Sequence, residues 1–341
     1  MRELQGMGIY LNPGNTNFWK SIRSEIYVDK TELIAYTNQC INTMKQYICV
    51  SRPRRFGKSM TLEMLAAYYS RGCDSRELFK GFKIEADKAF TEYLNRYDVI
   101  FLNIQRFLSR AREQEVTDHL EQAVIIELRK AYGKFFPKGE KRLAAALEQI
   151  YAETGRQFIF LIDEWDCVMR ERQKAEELQR QYLDFLCDLL KDQPYVALAY
   201  MTGILPVKKY GSHSALNMFW EYSMTDQKEL EEYTGFTEAE VKGLCERFGM
   251  DFDGLRGYIV QMLGERCVPV NTRSFQNDMQ TLKSADDVLT LLIHLGYLGY
   301  DSERKEAFIP NQEIVEEFEN AMSVGGWQEV MEVLRASEKL L

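Results

Sequence analysis

The stretch SRPRRFGKSM, Ser51 to Met60, ends with Gly57, Lys58 and Ser59 in a row. A phosphate-binding loop of spacing G-x-x-x-x-G-K-[ST] would have a glycine where this chain has Arg52. The flanking residues decide the reading. QYICVS (46–51) before it is an apolar run of strand length, and KSMTLEMLAAYYS (58–70) after it puts Leu62, Leu65, Ala66 and Tyr69 on one helical stripe. A loop between a buried strand and a helix N-terminus lets converging backbone N–H groups and the helix dipole hold an anion. Gly57 allows close backbone approach, Lys58 supplies charge for the β- and γ-phosphates, and the Ser59 hydroxyl suits Mg²⁺. Arg52 alters the entry turn, Pro53 stiffens it, and Arg54 and Arg55 add positive charge. With Phe56 and Met60 these residues form the expected nucleotide-binding segment. Taken alone, RRFGKS also suits a basic surface turn.

Four further runs have strand length: DVIFLNI (98–104), FIFLIDEWD (158–166), VALAYMTGI (196–204) and the shorter WEYSMTD (220–226). Helical patterns such as VTDHLEQAVIIELRKAY and AEELQRQYLDFLCDLLKD separate the longer ones. Runs that are apolar throughout suit strands covered on both faces, and strands alternating with helices predict a mainly parallel α/β sheet. FIFLIDEWD runs straight into Asp163 and Glu164. A carboxylate at the C-terminal end of a central strand can hold Mg²⁺, and the next one can polarise an attacking water. Asp163 and Ser59 are the expected metal ligands, and Glu164 and Thr202, which closes VALAYMT, the expected catalytic residues. A helix cap is the plainer reading of DEWD, and a strand-ending turn that of Thr202.

Beyond about residue 230 the pattern turns helical. TEAEVKGLCERFG and SADDVLTLLIHLGYLGYD are the clearest helices, with Gly296 and Gly299 expected to end the second, and YLGYDSERKEAFIPN reads as a hairpin. Helices followed by a hairpin predict a smaller, winged-helix-like module over 229–312, after an α/β domain over 1–228 and before a helical tail over 313–341. The net charge of −9 argues against a general attraction to nucleic acid or anionic membrane. The acidic SADDV helix and the balanced wing, with Arg304 and Lys305 beside Glu303 and Glu306, suit a protein contact better than a groove. No apolar stretch has transmembrane length and the start lacks a signal-peptide core. Seven cysteines, an odd number without a C-x-x-C pair, suit a reduced cytoplasmic chain. His119, His213 and His294 lack metal-ligand spacing.

The stretches IYVDKTELI (26–34), SRPRRFGKS (51–59), FIFLIDEWD (158–166), YMTGILPV (200–207), SALNMFWEYSMTD (214–226), GFTEAEV (235–241) and FQNDMQTLKSADDVLTLLIHLGYLGYD (275–301) together resemble the AAA-ATPase-like P-loop NTPases of bacteria. In that family arginine routinely replaces the first glycine. The resemblance implies a three-layer α/β/α fold with sheet order 5-1-4-3-2. It also implies ATP and Mg²⁺, with Lys58 on the phosphates, Ser59 and Asp163 on the metal, Glu164 activating water and Thr202 as sensor. YVDKT, around Asp29 and Lys30, is shared without an assignable role. Relatives carry a W-Y-D-G-Y segment that this chain lacks. CERFGMDFDGLRGYIV (245–260) joins regions separate in them, so an internal deletion is expected near Met250 and Asp251. The chain stops at ASEKLL, before the nuclease-like domain common in relatives, and no nuclease activity is expected. Two functions stay open: an ATP-hydrolysing switch acting on the C-terminal module, and a nucleotide-binding or protein-interaction module without turnover. An association with nucleic acid is the weaker third. ATP, and a protein partner or second copy met through the C-terminal module, are the expected partners; Arg54, Arg55 or a neighbouring subunit would supply an arginine finger.

Overall fold

A computed structural model describes residues 8–24, 27–52, 54, 56–109, 116–207, 216–223, 230–237, 239, 240, 242, 243, 252–272, 285–295, 297–312, 314, 315 and 318. The chain divides into two compact units, Met1–Thr234 and Gly235–Leu341.

The first unit is built on five parallel strands: β1 (Tyr47–Ser51), β2 (Asp98–Asn103), β3 (Phe158–Asp163), β4 (Val196–Gly203) and β5 (Trp220–Tyr222). Their order is β2-β3-β4-β1-β5, which from the other edge reads 5-1-4-3-2. Every residue of β1, β3 and β4 is buried, because both faces are covered, as their unbroken apolar runs require.

Alternation along the strands sorts the core into two layers. Tyr47, Cys49, Phe158, Phe160 and Ile162 face one layer, filled by α6 (Val116–Tyr132), α7 (Leu143–Thr154) and α9 (Glu176–Leu190). Ile48, Val50, Ile159 and Leu161 face the other, filled by α1 (Thr16–Ser21), α2 (Glu32–Cys40) and α3 (Lys58–Tyr69). On α9, Leu178, Tyr182, Leu186 and Leu189 form the buried stripe, while Glu177 and Arg180 pair in solvent. The stripe expected on α3 is widened to nearly its whole circumference. The cause is the 79–94 segment. Phe79 and Phe90 pack on Tyr68, whose hydroxyl donates to the Phe90 carbonyl at 2.7 Å.

The outer edge of β2 is closed by residues 10–12. Asn12 N–H donates to Val99 O (2.7 Å), and Phe101 N–H to Tyr10 O (2.8 Å). The approach is fixed from α6, where the Glu127 carboxylate accepts the N–H groups of Ile9, Tyr10 and Leu11 at 2.9, 2.9 and 2.7 Å. Asn12 sits at φ 51°. Its side chain donates to Asp98 (2.8 Å) and accepts from Val99 N–H (2.8 Å). Tyr132, Arg71 and Arg156 also approach Asp98, at 2.9, 3.3 and 3.9 Å from Oδ2.

YVDKT acquires a structural role. Asp29 accepts from the Thr31 N–H and hydroxyl (2.9 and 2.6 Å) and from Lys83 N–H (2.8 Å). Thr31 stands at the N-cap of α2, but its hydroxyl makes no cap bond and accepts from Ile84 N–H at 3.1 Å instead. Lys30 reaches the Glu232 carbonyl at 2.5 Å.

In the second unit, helix Phe252–Leu263, β6 (Val268–Pro269), helix Ala285–Leu295, β7 (Gly299–Asp301) and β8 (Glu306–Phe308) enclose a small core around Ile259, Met262, Val268, Leu289 and Ala307. The strands form an antiparallel sheet of order β6-β8-β7. The expected hairpin is β7–β8. Gly299, expected to end a helix, opens β7 instead, where the Phe308 ring leaves no room for a Cβ. Gly296, the join at Met250 and Asp251, and the tail helices apart from Ile314, Val315 and Phe318 lie outside the described residues. Among the described residues no helix is long and apolar enough to cross a membrane.

Asn12→Ala should destabilise the first unit by about 2–4 kcal/mol, since it strips a partner from buried Asp98 and from Val99 N–H. A fall in the urea unfolding midpoint would show it; an unchanged midpoint would mean that the edge is held by backbone pairing alone.

Candidate nucleotide-binding site

β1 delivers Ser51 to the C-terminal edge of the sheet, and α3 begins at Lys58. Between them Gly57 takes φ 73°, ψ 8° as the N-cap of α3. Nothing lies within 4 Å of where its Cβ would be, so the left-handed backbone, and not crowding, calls for glycine. The first turn of α3 carries no acidic residue of its own. Lys58 is buried, and its Nζ donates to the Arg52 carbonyl at 2.7 Å. Burial pushes its amine down from the ordinary value; Glu164, Asp163 and Asp166 act against that, and Arg170 with it.

Asp163, 2% exposed at the end of β3, is the meeting point of the site. It follows Leu161 on the α3 side of the sheet, where Ser59 stands. The Ser59 hydroxyl donates to Oδ2 at 2.7 Å, the Asn103 amide to the same oxygen at 3.2 Å, and the Thr202 hydroxyl to Oδ1 at 2.8 Å. Asn103 ends β2 directly opposite Asp163 in the parallel register. One carboxylate thus gathers α3, β2 and β4. One turn along α3, burial and then the nearby Asp163 push the Glu63 carboxyl up, opposed by a hydrogen bond with Ser21 and the charge of Lys20.

Glu164 has φ 55°. Its carboxylate pairs with Arg170, on α8 (Cys167–Glu171). The Arg170 Nε also reaches Asp166 at 2.9 Å. Asp166 is fully buried, and its Oδ2 accepts the N–H groups of Ile204 (3.2 Å) and Leu205 (2.9 Å), just past β4. Gly203 is needed here: a Cβ would lie 2.6 Å from the Trp165 ring and 2.8 Å from Asp166 Oδ1.

Lys58, Ser59, Asp163, Glu164 and Thr202 are therefore together. Arg52 joins them through its backbone. Its side chain is 2% exposed and runs to the Tyr222 carbonyl (3.2 Å) and the Thr234 hydroxyl (3.2 Å). It has no positive φ, so the entry turn does not require glycine. Phe56 is half-buried, Arg54 exposed and Met60 42% exposed. Pro53 and Arg55 lie outside the described residues.

Sequence reading missed Asn103, Asp166 and Arg170. Asn103 had a signal, being the first polar residue after the apolar run of β2, and Asp166 lies within DEWD. Arg170 had none, since its partners are set by the turn after β3.

The buried thiols of Cys49 and Cys167 are pushed up by burial, the latter to about 12, which makes them core groups.

The family model of predicted AAA-ATPases, AAA-ATPase-like, matches residues 14–212. The chain belongs to that family. AAA-ATPase-like membership implies nucleotide binding, and the matched span contains the whole site from Arg52 to Thr202. An uncharacterized protein in the vnfD 5′ region of Azotobacter chroococcum mcd 1 is 26% identical over 238 residues, 68% of this chain and 44% of that protein. The chain thus spans less than half of that relative's length. Two solved structures are similar at low TM-score. Drosophila ORC bound to AT-rich DNA and Cdc6 shares 14% identity over 89% of this chain and 94% of its own, at TM-score 0.29. C. elegans PCH-2 shares 12% over 90% and 72%, at TM-score 0.30.

Restoring the consensus glycine with Arg52→Gly should cost this AAA-ATPase-like fold about 1–3 kcal/mol, because the Tyr222 carbonyl and Thr234 lose their donor. Equilibrium denaturation reads the loss, and a variant as stable as wild type would show those contacts to be neutral.

Proposed function

We propose that this chain is a Mg²⁺-dependent ATPase that acts as a nucleotide switch on its C-terminal unit. The observation that carries the reading is the convergence of Ser59, Asn103 and Thr202 on buried Asp163 beside Lys58. An ammonium destabilised by burial gains most from an incoming anion, which suits Lys58 to the β- and γ-phosphates. The Ser59 hydroxyl and the Asp163 carboxylate are hard oxygen donors in direct contact. That donor set fits Mg²⁺, which takes one or two carboxylates together with substrate phosphate.

When bound, Mg²⁺ would neutralise charge on the β- and γ-phosphate oxygens. The backbone at Gly57 and the N-terminus of α3 would bind the phosphates, and Lys58 would balance the charge that develops on them. Glu164 would take the proton of the attacking water at its carboxylate. Thr202, hydrogen-bonded to Asp163, would sense the state of the site.

Arg52 supports the switch. Its carbonyl holds Lys58, while its guanidinium holds Thr234, the residue before the second unit begins. A shift of the loop on nucleotide binding would pull on that residue. In the chain, helix Ala285–Leu295 is followed by the β7–β8 hairpin, the order on which the winged-helix-like reading rests. With the partly exposed Asp286 in the first turn of helix Ala285–Leu295, the unit is suited to a protein partner and not to a phosphate backbone. The second reading is binding with little turnover, in which the Glu164–Arg170 pair is a structural ion pair and Glu164 is not a base.

Mg-ATP at about 100 times its dissociation constant should stabilise the wild type by roughly 2.7 kcal/mol, a melting shift of a few degrees. Lys58→Ala should abolish the shift. Glu164→Gln should keep it while lowering turnover by about 100-fold or more. Turnover equal in wild type and Glu164→Gln would favour the non-hydrolysing reading, and no shift in wild type would remove both.

A further inference from the structure

We propose that Arg170 is a positioning residue for Glu164 in hydrolysis, an assignment that rests on the ATPase reading above. Glu164 leaves β3 with φ 55°, a backbone conformation that a residue with a side chain keeps only where its surroundings hold it. Two backbone bonds do so: Trp165 N–H to Thr202 O, and Cys167 N–H to Glu164 O, both at 3.0 Å. They turn the chain into α8, and the Glu164 carboxylate meets the Arg170 Nη2.

Arg170 is itself held. Its side chain is 14% exposed, and its Nε is bonded to a carboxylate, Asp166, whose side chain is 0% exposed. The same Asp166 oxygen accepts the N–H groups of Ile204 and Leu205. A continuous set of hydrogen bonds therefore runs from the chain just past Thr202, through Asp166 and Arg170, to Glu164. A planar guanidinium can hold two carboxylates on different edges at once, whereas an ammonium is a single point of charge. Arg170 thereby fixes where the Glu164 carboxylate sits relative to β4, and a general base works only when held within hydrogen-bond reach of the proton it removes.

Arg170→Lys separates this role from a structural one. Lysine ends one atom short of Nη2, so it can keep a bond to buried Asp166 while losing the planar fork that fixes Glu164. The variant should fold, bind Mg-ATP with a dissociation constant within about twofold of wild type, and lose about tenfold or more in kcat. In a Glu164→Gln background the same substitution should change kcat by less than about twofold, because residues acting as a unit are not additive. The nucleotide-free protein gives a readout independent of turnover. Glu164→Gln should lower the unfolding midpoint of the wild type but leave that of Arg170→Lys nearly unchanged. Arg170→Gln, which leaves Asp166 buried without its cation, should be far less stable than Arg170→Lys. Losses in kcat that multiply in the double variant, a kcat unchanged or raised by Arg170→Lys, or a loss of affinity equal to the loss of kcat would each overturn the assignment. A wild type that binds Mg-ATP without turning it over would instead remove the ATPase reading, and this assignment with it.

Discussion

A carboxylate buried at the end of a strand must be hydrogen-bonded or it costs several kcal/mol. Asp163 meets that demand with Ser59 from α3, Asn103 from β2 and Thr202 from β4. Bonds to a charged acceptor are each worth about 1.5–3 kcal/mol, so the position of α3 over the sheet and the alignment of three strand ends are tied to one side chain. The nucleotide loop leads from β1, which pairs with β4, to the first turn of α3.

The second carboxylate pair is organised differently. Glu164 and Asp166 lie on either side of Trp165, share Arg170, and carry the turn after β4 with them. Gly203 allows this close approach, since any side chain there would strike Trp165 or Asp166. The two networks meet at β4, where Thr202 serves Asp163 through its side chain and Trp165 through its carbonyl. Asp163 and the turn that carries Glu164 are thus both held by one residue of that strand.

Arg52 shows how a substitution in a motif can change its use and keep its geometry. The position needs no left-handed backbone, so glycine is not demanded, and the side chain is free to be buried against β5 and Thr234. The carbonyl of the same residue still faces Lys58. One residue thereby joins the nucleotide loop, the sheet edge and the segment leading to the second unit. That segment is also held by Lys30, which accounts for part of YVDKT.

The parallel sheet was legible in the sequence because its central strands are apolar without interruption, and only strands covered on both faces tolerate that. That Lys58, Ser59, Asp163, Glu164 and Thr202 would come together was legible because they follow the C-terminal ends of apolar runs that a parallel sheet aligns at one edge. The width of the buried surface on α3, the role of Gly299 and the bonds of Asp29 were not, since each depends on a segment distant in sequence. The partners of the charged groups were decided by tertiary structure alone. Nothing in DEWDCVMRE says that Arg170 holds Glu164 and Asp166, or that Arg52 turns from the loop toward Thr234. A guanidinium has many acceptors within reach of its flexible stem, and which of them it takes is settled only when burial removes water from the competition.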